Sequence, residues 1–474
     1  MFPPPIPRAR NRFLNWSGSL FVLLLLSLTT SGVSLAASDS TADSASTSAQ
    51  PPRSGNYVGV TNFGFQCGIG DTQECEGPGS KFSIVWPNTV AQPGALRLHD
   101  AGTHWSTIDQ GNGVYNWLPL DQWLDLIAQH PPVKVMQVFT WVPCYLVGPT
   151  QCSHPPTAPD GTNVPPSDLT ASGSPSFNRF VTAFVQHCSP AGNCVKNLIR
   201  GYEMWNEWDL SYHWTGSMAQ VYQMVAPAVA IIRANIPNAV ILMPSTTPDS
   251  DTGLGYQADF QNWLNYETAH GRISDWIDWH VYLTVNKTST RTPEDQWAKY
   301  NANYLSIQAA TPAWQNAPWA DTETNFNGTP PPGLNYTCPA AQFNAYDCTG
   351  QVVRWQLLHA SNGAKSVDWY KWAQTVGSNP NYDTAYHYMM QYMTGGKFGG
   401  PCTSTTNGDV PTWTCNFTES NGTTALWVWT TSEAGTSFTV PSGYVDYRDL
   451  SGGTTNVTGG QNITIGTQPF LLEQ

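Results

Sequence analysis

From Tyr57 to Trp372 short β-branched or aromatic runs alternate with longer amphipathic stretches, and this alternation restricts the chain to an α/β fold on parallel strands. The strand-like runs are Tyr57–Phe65, Gly94–His99, Val133–Trp141, Leu198–Asn206, Ala239–Pro244, Trp276–Leu283, Pro318–Glu323 and Ala364–Trp372, eight in all. Between them lie helical stretches such as Leu118–His130, Ser176–Gln186, Ser217–Asn235 and Ala341–Ala360; in the third, Met218, Val221, Tyr222, Val225, Val229 and Ile232 recur at helical spacing. Eight strand–helix units over residues 55–394 predict a (β/α)8 TIM barrel with long loops. A doubly wound open sheet has the same run count and is the rival architecture. After about Gly395 the helical period gives way to short runs with Gly, Thr and Ser turns: Ala425–Thr430, Ser437–Val440, Tyr444–Asp446, Asn462–Ile465 and Phe470–Leu472. These predict a small antiparallel β-sandwich-like module over 395–474, packed against the barrel, with sugar binding as its alternative role.

The N-terminus addresses the compartment. Arg8, Arg10 and Arg12 precede the apolar run Leu20–Leu28 and the small-residue stretch Ser34–Ala37, the layout of a secretory signal over 1–36. The run is shorter than the about 20 residues that span a bilayer. Cleavage leaves no stable membrane anchor; an uncleaved signal anchor is the rival. Residues 37–54, rich in Ser, Thr and Ala, read as a flexible linker. The formal net charge is −13, and removing the leader's three arginines takes the basic count of 20 down to 17 against 33 acids, a balance of −16. No polyanion partner is expected of such a chain, so nucleic acid is excluded. All ten cysteines follow the leader and fall into close sequential pairs: Cys67 with Cys75, Cys144 with Cys152, Cys188 with Cys194, Cys338 with Cys348, and Cys402 with Cys415. Nearest-neighbour disulfides are the simplest expectation for an extracellular or periplasmic chain. A zinc site is the alternative, but the sequence has no Cys-x-x-Cys pair and no HExxH motif. Neither metal nor cofactor is expected.

In a barrel of this kind chemistry sits at the C-terminal ends of the strands. Only 11% of residues are charged, and there are just ten glutamates, seven of them in the barrel segment. Glu74 and Glu76 fall in the first cysteine loop, and Glu267 and Glu294 read as solvated helix faces. Glu207 closes the fourth run and Glu323 the seventh. Two carboxyls brought to one rim can bracket a glycosidic bond: ~5–5.5 Å apart they act as acid/base and nucleophile with retention, and at ~6.5–9.5 Å they invert through a water. Arg97, on the second run, would keep the nucleophile ionised. Glu203, two strand periods before Glu207, reads as a buried carboxylate paired with a base, or as a group that tunes Glu207.

The pattern of these residues resembles glycoside hydrolase clan A. Asn206-Glu207 on the fourth run and Glu323 on the seventh match that clan's catalytic pair; Arg97-Leu98-His99-Asp100, then Trp105, then the Gly113–Trp117 turn, resemble its family 39 and relatives, as does Tyr202–Glu207. The resemblance implies Glu207 as general acid/base, Glu323 as nucleophile and Asn206 as partner of the sugar 2-hydroxyl. It also implies that Arg97 and Tyr282 orient the nucleophile, while His99 and His280 line the reactive subsite. His280 and Tyr282 share one face of the sixth run by period 2. The chain departs from many relatives at Trp208-Asp209, where they place Pro after the Asn-Glu pair.

Of the 21 tryptophans, Trp372 and Trp141 are the candidates for sugar platforms at the rim, and most others are packing. Asn-x-Ser/Thr sequons, among them Asn286, Asn327 and Asn456, suit a secreted surface. No GxSxG elbow and no Walker loop is present. The expected function is a secreted hydrolase of O-glycosidic bonds in a β-linked oligo- or polysaccharide, working with retention. The competing class is a non-catalytic carbohydrate-binding or cell-surface protein on the same barrel; an inverting hydrolase is a further alternative.

Overall fold

The computed structural model describes residues 63–66, 86, 89–131, 133–148, 151–152, 161–285, 292–328, 348–370, 380–407 and 410–474, all within one compact unit, Ala49–Gln474. The expected signal and linker (1–54), Cys67, Cys75, Cys338 and Trp372 lie outside the described residues. Each of the eight expected strand runs contributes a strand to one sheet: β1 (Phe63–Gln66), β2 (Ala95–Leu98), β3 (Lys134–Val138), β4 (Ile199–Glu203), β5 (Val240–Leu242), β6 (Ile277–Trp279), β7 (Trp319–Thr324) and β8 (Val367–Tyr370). They pair in the order β6-β7-β8-β1-β2-β3-β4-β5, every pair parallel. Parallel bridges Leu242↔Trp276 and Thr246↔Trp279 join the segment of β5 to that of β6, so the two ends of the order meet.

Helices follow the strands in turn: α1 (Leu118–Ala128), α2 (Pro175–Gln186), α3 (Met218–Asn235), α4 (Tyr256–His270), α5 (Ala302–Ala310), α6 (Cys348–Ser361) and α7 (Pro380–Met393). Local chemistry sets their starts. Ser217 and Gln220 form a reciprocal capping box on α3. Ser174 accepts the Phe177 N–H ahead of Pro175 at the head of α2, and Asp168 holds both the Ser174 hydroxyl and the Ser176 N–H. The apolar stripe of α3 (Val221, Val225, Val229, Ile232) is buried, as the helical period requires.

The two faces of the sheet differ in chemistry. One packs against the helices in a core that includes Phe139, Phe177, Phe180, Phe184 and Tyr202. On the other, Met136, Val240, Leu242, Trp276 and Ala320 form a separate apolar cluster. Register places Met136 beside Arg97, Leu242 beside Glu203 and Ala320 beside Asp278, so this cluster floors the face that carries the charged residues.

The C-terminal segment forms a seven-stranded sheet. Its strands are β9 (Lys397–Phe398), β10 (Thr403–Asn407), β11 (Val410–Thr418), β12 (Thr424–Thr430), β14 (Asp446–Arg448), β15 (Thr454–Asn456) and β17 (Phe470–Glu473). The hairpin partners β13 (Thr436–Thr439) and β16 (Asn462–Ile465) pair separately. Alternation along β12 buries both faces: Ala425, Trp427 and Trp429 join the main core, while Leu426 and Val428 join a second cluster with Val440, Ile465 and Leu472. The sequence reading missed β9, β10, β11 and β15: β10 (Thr-Ser-Thr-Thr-Asn) carries no apolar residue, whereas β11 alternates Trp413, Cys415 and Phe417 with Thr and Asn, a signal that the reading passed over.

Three of the expected disulfides are formed: Cys144–Cys152, Cys188–Cys194 and Cys402–Cys415. The solvated-face reading of Glu267 and Glu294 is overturned. Glu267 is buried and accepts from Trp263, from the Ser274 hydroxyl and from the N–H groups of Ile273 and Ser274. Glu294 is buried against the C-terminal sheet, where it accepts the Trp429 indole N–H at 2.7 Å. Among the described residues no helix is long and apolar enough to cross a membrane.

Candidate active site

Arg97, the third residue of β2, organises the polar face. Its guanidinium is wholly buried. Nε and Nη2 grip Glu203 at 2.7 and 2.9 Å, Nη1 donates to Glu323 at 2.7 Å, and Nη2 also donates to the Asn206 carbonyl at 2.7 Å. Burial alone would discharge this group, but Glu203 and Glu323 hold its pKa above the ordinary arginine value. Glu203 thus takes the paired-base role that its spacing allowed, with Ser245 donating a further hydrogen bond at 2.8 Å.

The fourth strand ends at Glu203 rather than at Asn206, so Glu207 lies in the loop beyond it. The loop turns sharply: Glu207 has φ 42°. Asp100 and Trp141, just beyond β2 and β3, also have positive φ, at 53° and 58°. Such backbone is costly for residues with a Cβ, most of all for a bulky indole, and it tends to persist at functional sites. The Glu207 N–H is held by the Ser245 Oγ at 2.9 Å. Its carboxylate reaches two imidazoles, His280 Nδ1 at 2.8 Å and His213 Nε2 at 3.1 Å.

Glu323 arrives by a different device. β7 carries a register shift between Asp321 and Thr324, and a bulge re-aims side chains in this way. Consecutive residues therefore serve the same site: Thr322 Oγ1 lies 3.1 Å from His280 Nε2, and Glu323 meets Arg97. Tyr282 donates its hydroxyl to the other Glu323 oxygen. Strand β6 stops at Trp279, so His280 and Tyr282 lie beyond the ladder, not within it as the period-2 reading had them; both nonetheless reach the site.

Glu207, His280 and Glu323 each offer an atom within 4.8 Å of the others. His280 Nδ1, 2.8 Å from Glu207, is 3.9 Å from Glu323. Burial pushes the Glu207 carboxyl up, but hydrogen bonds from His213 and His280 outweigh it and hold the group below its ordinary value. Burial lowers His280, yet Glu207 and Glu323 overcome it and raise the imidazole to about 9. At neutral pH the proton of this pair therefore resides on His280.

His99 is buried beside His104 and His213, with ring centroids at 5.5 and 6.5 Å. Burial first, then Arg97, lowers it well below the ordinary imidazole value, and His104 is pushed down to about 3 by burial and His213. Trp141 is 2% exposed and packs edge-on against Tyr212 at 5.5 Å and at a tilt against His213 at 5.1 Å. It is a wall beside the histidines rather than an open shelf.

Sequence reasoning missed His213, Ser245, Thr322 and Asp278. Thr322 Oγ1 lies 2.9 Å from both oxygens of Asp278, whose carboxyl burial and then Glu203 push well up. The signal for Ser245 and His213 was their position just past β5 and β4, in loops at the C-terminal ends of strands.

Two groups besides the central one bring three ligating side chains together among the described residues: His99, Asp100 and His104, and Glu203, Asp278 and His280. Their atoms are committed elsewhere. His104 Nε2 accepts the Asp100 N–H at 3.1 Å, and Glu203 is gripped by Arg97.

The architecture has solved counterparts. A glucosidase from Croceicoccus marinus matches with TM-score 0.54 at 12% identity, over 89% of this chain and 96% of that one. A GH39 enzyme from Xanthomonas axonopodis pv. citri matches with TM-score 0.51 at 14% identity, over 87% and 93%. A family 44 endoglucanase from Clostridium acetobutylium matches with TM-score 0.51 at 14% identity, over 81% and 94%. The fold is that of glycoside hydrolase clan A. At these identities the likeness to clan A is one of fold. No protein-family model and no curated protein matches the sequence.

Proposed function

We propose that this chain is a secreted β-glycoside hydrolase working with retention, its sheet a closed (β/α)8 barrel over 55–394 and its C-terminal sheet a sandwich-like module over 395–474 that packs on it. The observation that carries the reading is the convergence of Glu207 and Glu323 with His280 within 4.8 Å. That closest approach is nearer the ~5–5.5 Å of a direct displacement than the ~6.5–9.5 Å that seats a water in an inverting site. The bridges between the β5 and β6 segments support barrel closure. Secretion is supported by the basic-apolar leader in the sequence and by the disulfides.

In this mechanism the Glu323 carboxylate attacks the anomeric carbon as the glycosidic bond breaks, and Glu207 gives its proton to the departing oxygen. In the second half, Glu207 takes a proton from water, the water oxygen attacks the same carbon, and Glu323 leaves. Arg97 and Tyr282 fix both Glu323 oxygens, which keeps the carboxylate aimed. Glu207 begins ionised, so its proton comes from His280 Nδ1 across 2.8 Å. A bound sugar that shields Glu207 from water favours that transfer, because desolvation favours the neutral acid. Asn206, held at its carbonyl by Arg97, turns its amide nitrogen toward His213 at 3.3 Å and contacts the sugar 2-hydroxyl. His99 and Trp141 line the subsite that holds the scissile sugar, and Trp372 is a further candidate platform by sequence. Screening aryl β-glycosides, xylan, glucan and mannan with the native chain, Glu207→Ala and Glu323→Gln tests the reading. Glu323→Gln is expected to lose all turnover and Glu207→Ala to keep substrates with good leaving groups. Glycan binding without hydrolysis by the native chain would favour the non-catalytic class instead.

A further inference from the structure

Asp100 takes no part in the cleavage chemistry, yet the fold holds it in an uncommon backbone conformation two residues beyond the end of β2, with φ 53°. Its N–H donates to His104 Nε2 at 3.1 Å, and its Oδ2 accepts the hydroxyl of Tyr370, on β8, at 2.9 Å. Its Oδ1 lies 3.7 Å from Nε2 of both His99 and His104. Backbone and carboxylate are thus fixed from separate segments of the chain, and strain of this kind persists where the surroundings over-determine it, most often at functional sites. The Asp100 side chain keeps 12% of its surface open, against 5% and 6% for His99 and His104. Of these three groups, the carboxylate is the one most open to a ligand.

Contacts on both sides lead from this wall to the two glutamates. The Tyr370 ring meets Tyr282 edge-on at 6.5 Å, and Tyr282 donates to Glu323. The His99 ring lies 6.5 Å from that of His213, whose Nε2 is 3.1 Å from Glu207. The Asp100–Tyr370 bond spans the end of β1, which lies between β2 and β8 in the sheet. Glu207 enters from the loop beyond β4, three strands further along. A sugar with its anomeric carbon at Glu323 and its leaving oxygen at Glu207 therefore turns the far edge of its ring toward Asp100. We propose that Asp100 is a specificity-determining residue: its carboxylate, aimed by Tyr370 and His104, accepts hydrogen bonds from the C3 and C4 hydroxyls of the sugar, so that the site takes a neutral pyranose and rejects a uronic acid. The assignment rests on the hydrolase reading and names the sugar class for that site. A carboxylate accepts from two neighbouring hydroxyls at once, through bonds stronger than those to a neutral acceptor. Burial and then Arg97 lower His99 well below the ordinary imidazole value, and burial and His213 push His104 down to about 3, so neither is charged at neutral pH. A uronate would meet Asp100 with no counter-charge from these imidazoles, and like charges so juxtaposed select against it.

The test is calorimetric titration of nitrophenyl β-glycosides into the full-length Glu323→Gln protein, where turnover is blocked. The panel is the glucoside, xyloside, galactoside, mannoside and glucuronide, with the 3-deoxy and 4-deoxy forms of whichever neutral sugar binds tightest. The glucuronide and at least one deoxy form should bind about tenfold or more weakly than that sugar, the size of one lost charge-assisted hydrogen bond. Adding Asp100→Asn should weaken the parent sugar by about tenfold or more and that deoxy form by less than about threefold. Asn suits a positive φ as Asp does, and its carbonyl oxygen can still take the Tyr370 hydroxyl, so the fold is kept. Tyr370→Phe, which frees the carboxylate without altering it, should cause a smaller loss of the same discrimination. The proposal is overturned if no neutral glycoside binds or if the glucuronide binds as tightly as the best of them. It is equally overturned if Asp100→Asn leaves the parent sugar unchanged or weakens parent and deoxy forms alike, as a merely structural role would. Binding is read without turnover, so a native chain that hydrolyses no glycoside defeats the hydrolase reading and leaves Asp100 to be judged on these titrations alone.

Discussion

His280 sits between two carboxylates, and its charge decides which of them can act as an acid. Because the folded protein raises its pKa to about 9 from an ordinary 6.5, the imidazolium stabilises the fold fully below pH 6.5, and this contribution is lost as pH rises through about 9. Glu207 runs the other way. Its depressed pKa makes its contribution present above its ordinary 4.5 and lost as pH falls through the lower folded value. Thermal unfolding of the native chain should therefore drop between pH 6.5 and 9.5, and His280→Gln should flatten that drop. The same proton shapes the rate. Since kcat/KM reports the free enzyme, its basic limb should fall near pH 9, and His280→Gln should move it down by about one unit or more as Glu207 becomes the sole holder of the proton. A basic limb unmoved by that substitution would separate His280 from the acid. Glu323→Ala should lower kcat by about 10⁴-fold or more, and azide should restore turnover as a glycosyl azide.

At the scale of elements, the strands were legible because parallel strands buried on both faces read as β-branched and aromatic runs. Where they stop was not. The ladder ends at Glu203 and at Trp279, and the chain then carries Glu207, His280 and Tyr282 into the site as loop residues. Loop conformation follows from contacts distant in sequence, such as the Ser245 hydroxyl under the Glu207 N–H, which no local pattern encodes. The bulge in β7 was equally silent, although it is what lets Thr322 and Glu323 both serve the site. Helix starts, by contrast, follow local rules, and one carries a prediction. Gly173, with φ 102°, precedes the Ser174 cap of α2, and a Cβ there would meet Pro227 Cγ of α3 at 2.8 Å. Gly173→Ala should cost ~1–3 kcal/mol in denaturant unfolding through overpacking and backbone strain.

The whole molecule joins the eight-stranded sheet and the C-terminal sheet through one continuous apolar core. Trp427 and Trp429 of β12 enter that core, and the Trp429 indole N–H closes on Glu294, which also faces Arg354 at 3.5 Å. Trp429→Phe should cost ~1–3 kcal/mol by leaving a buried carboxylate oxygen without its donor, measured as a loss of stability with unchanged KM on aryl glycosides. The scarcity of charge in the sequence acquires a reason at this scale. Most of the barrel glutamates are buried, two as scaffold (Glu267 and Glu294), one as the partner of Arg97 (Glu203) and two at the proposed reaction centre. The account turns on that centre performing a double displacement. Proton NMR of the sugar released in the first turnovers of an aryl β-glycoside reads it directly: the β-anomer should appear first and mutarotate later, and first release of the α-anomer would contradict the two-glutamate retaining mechanism.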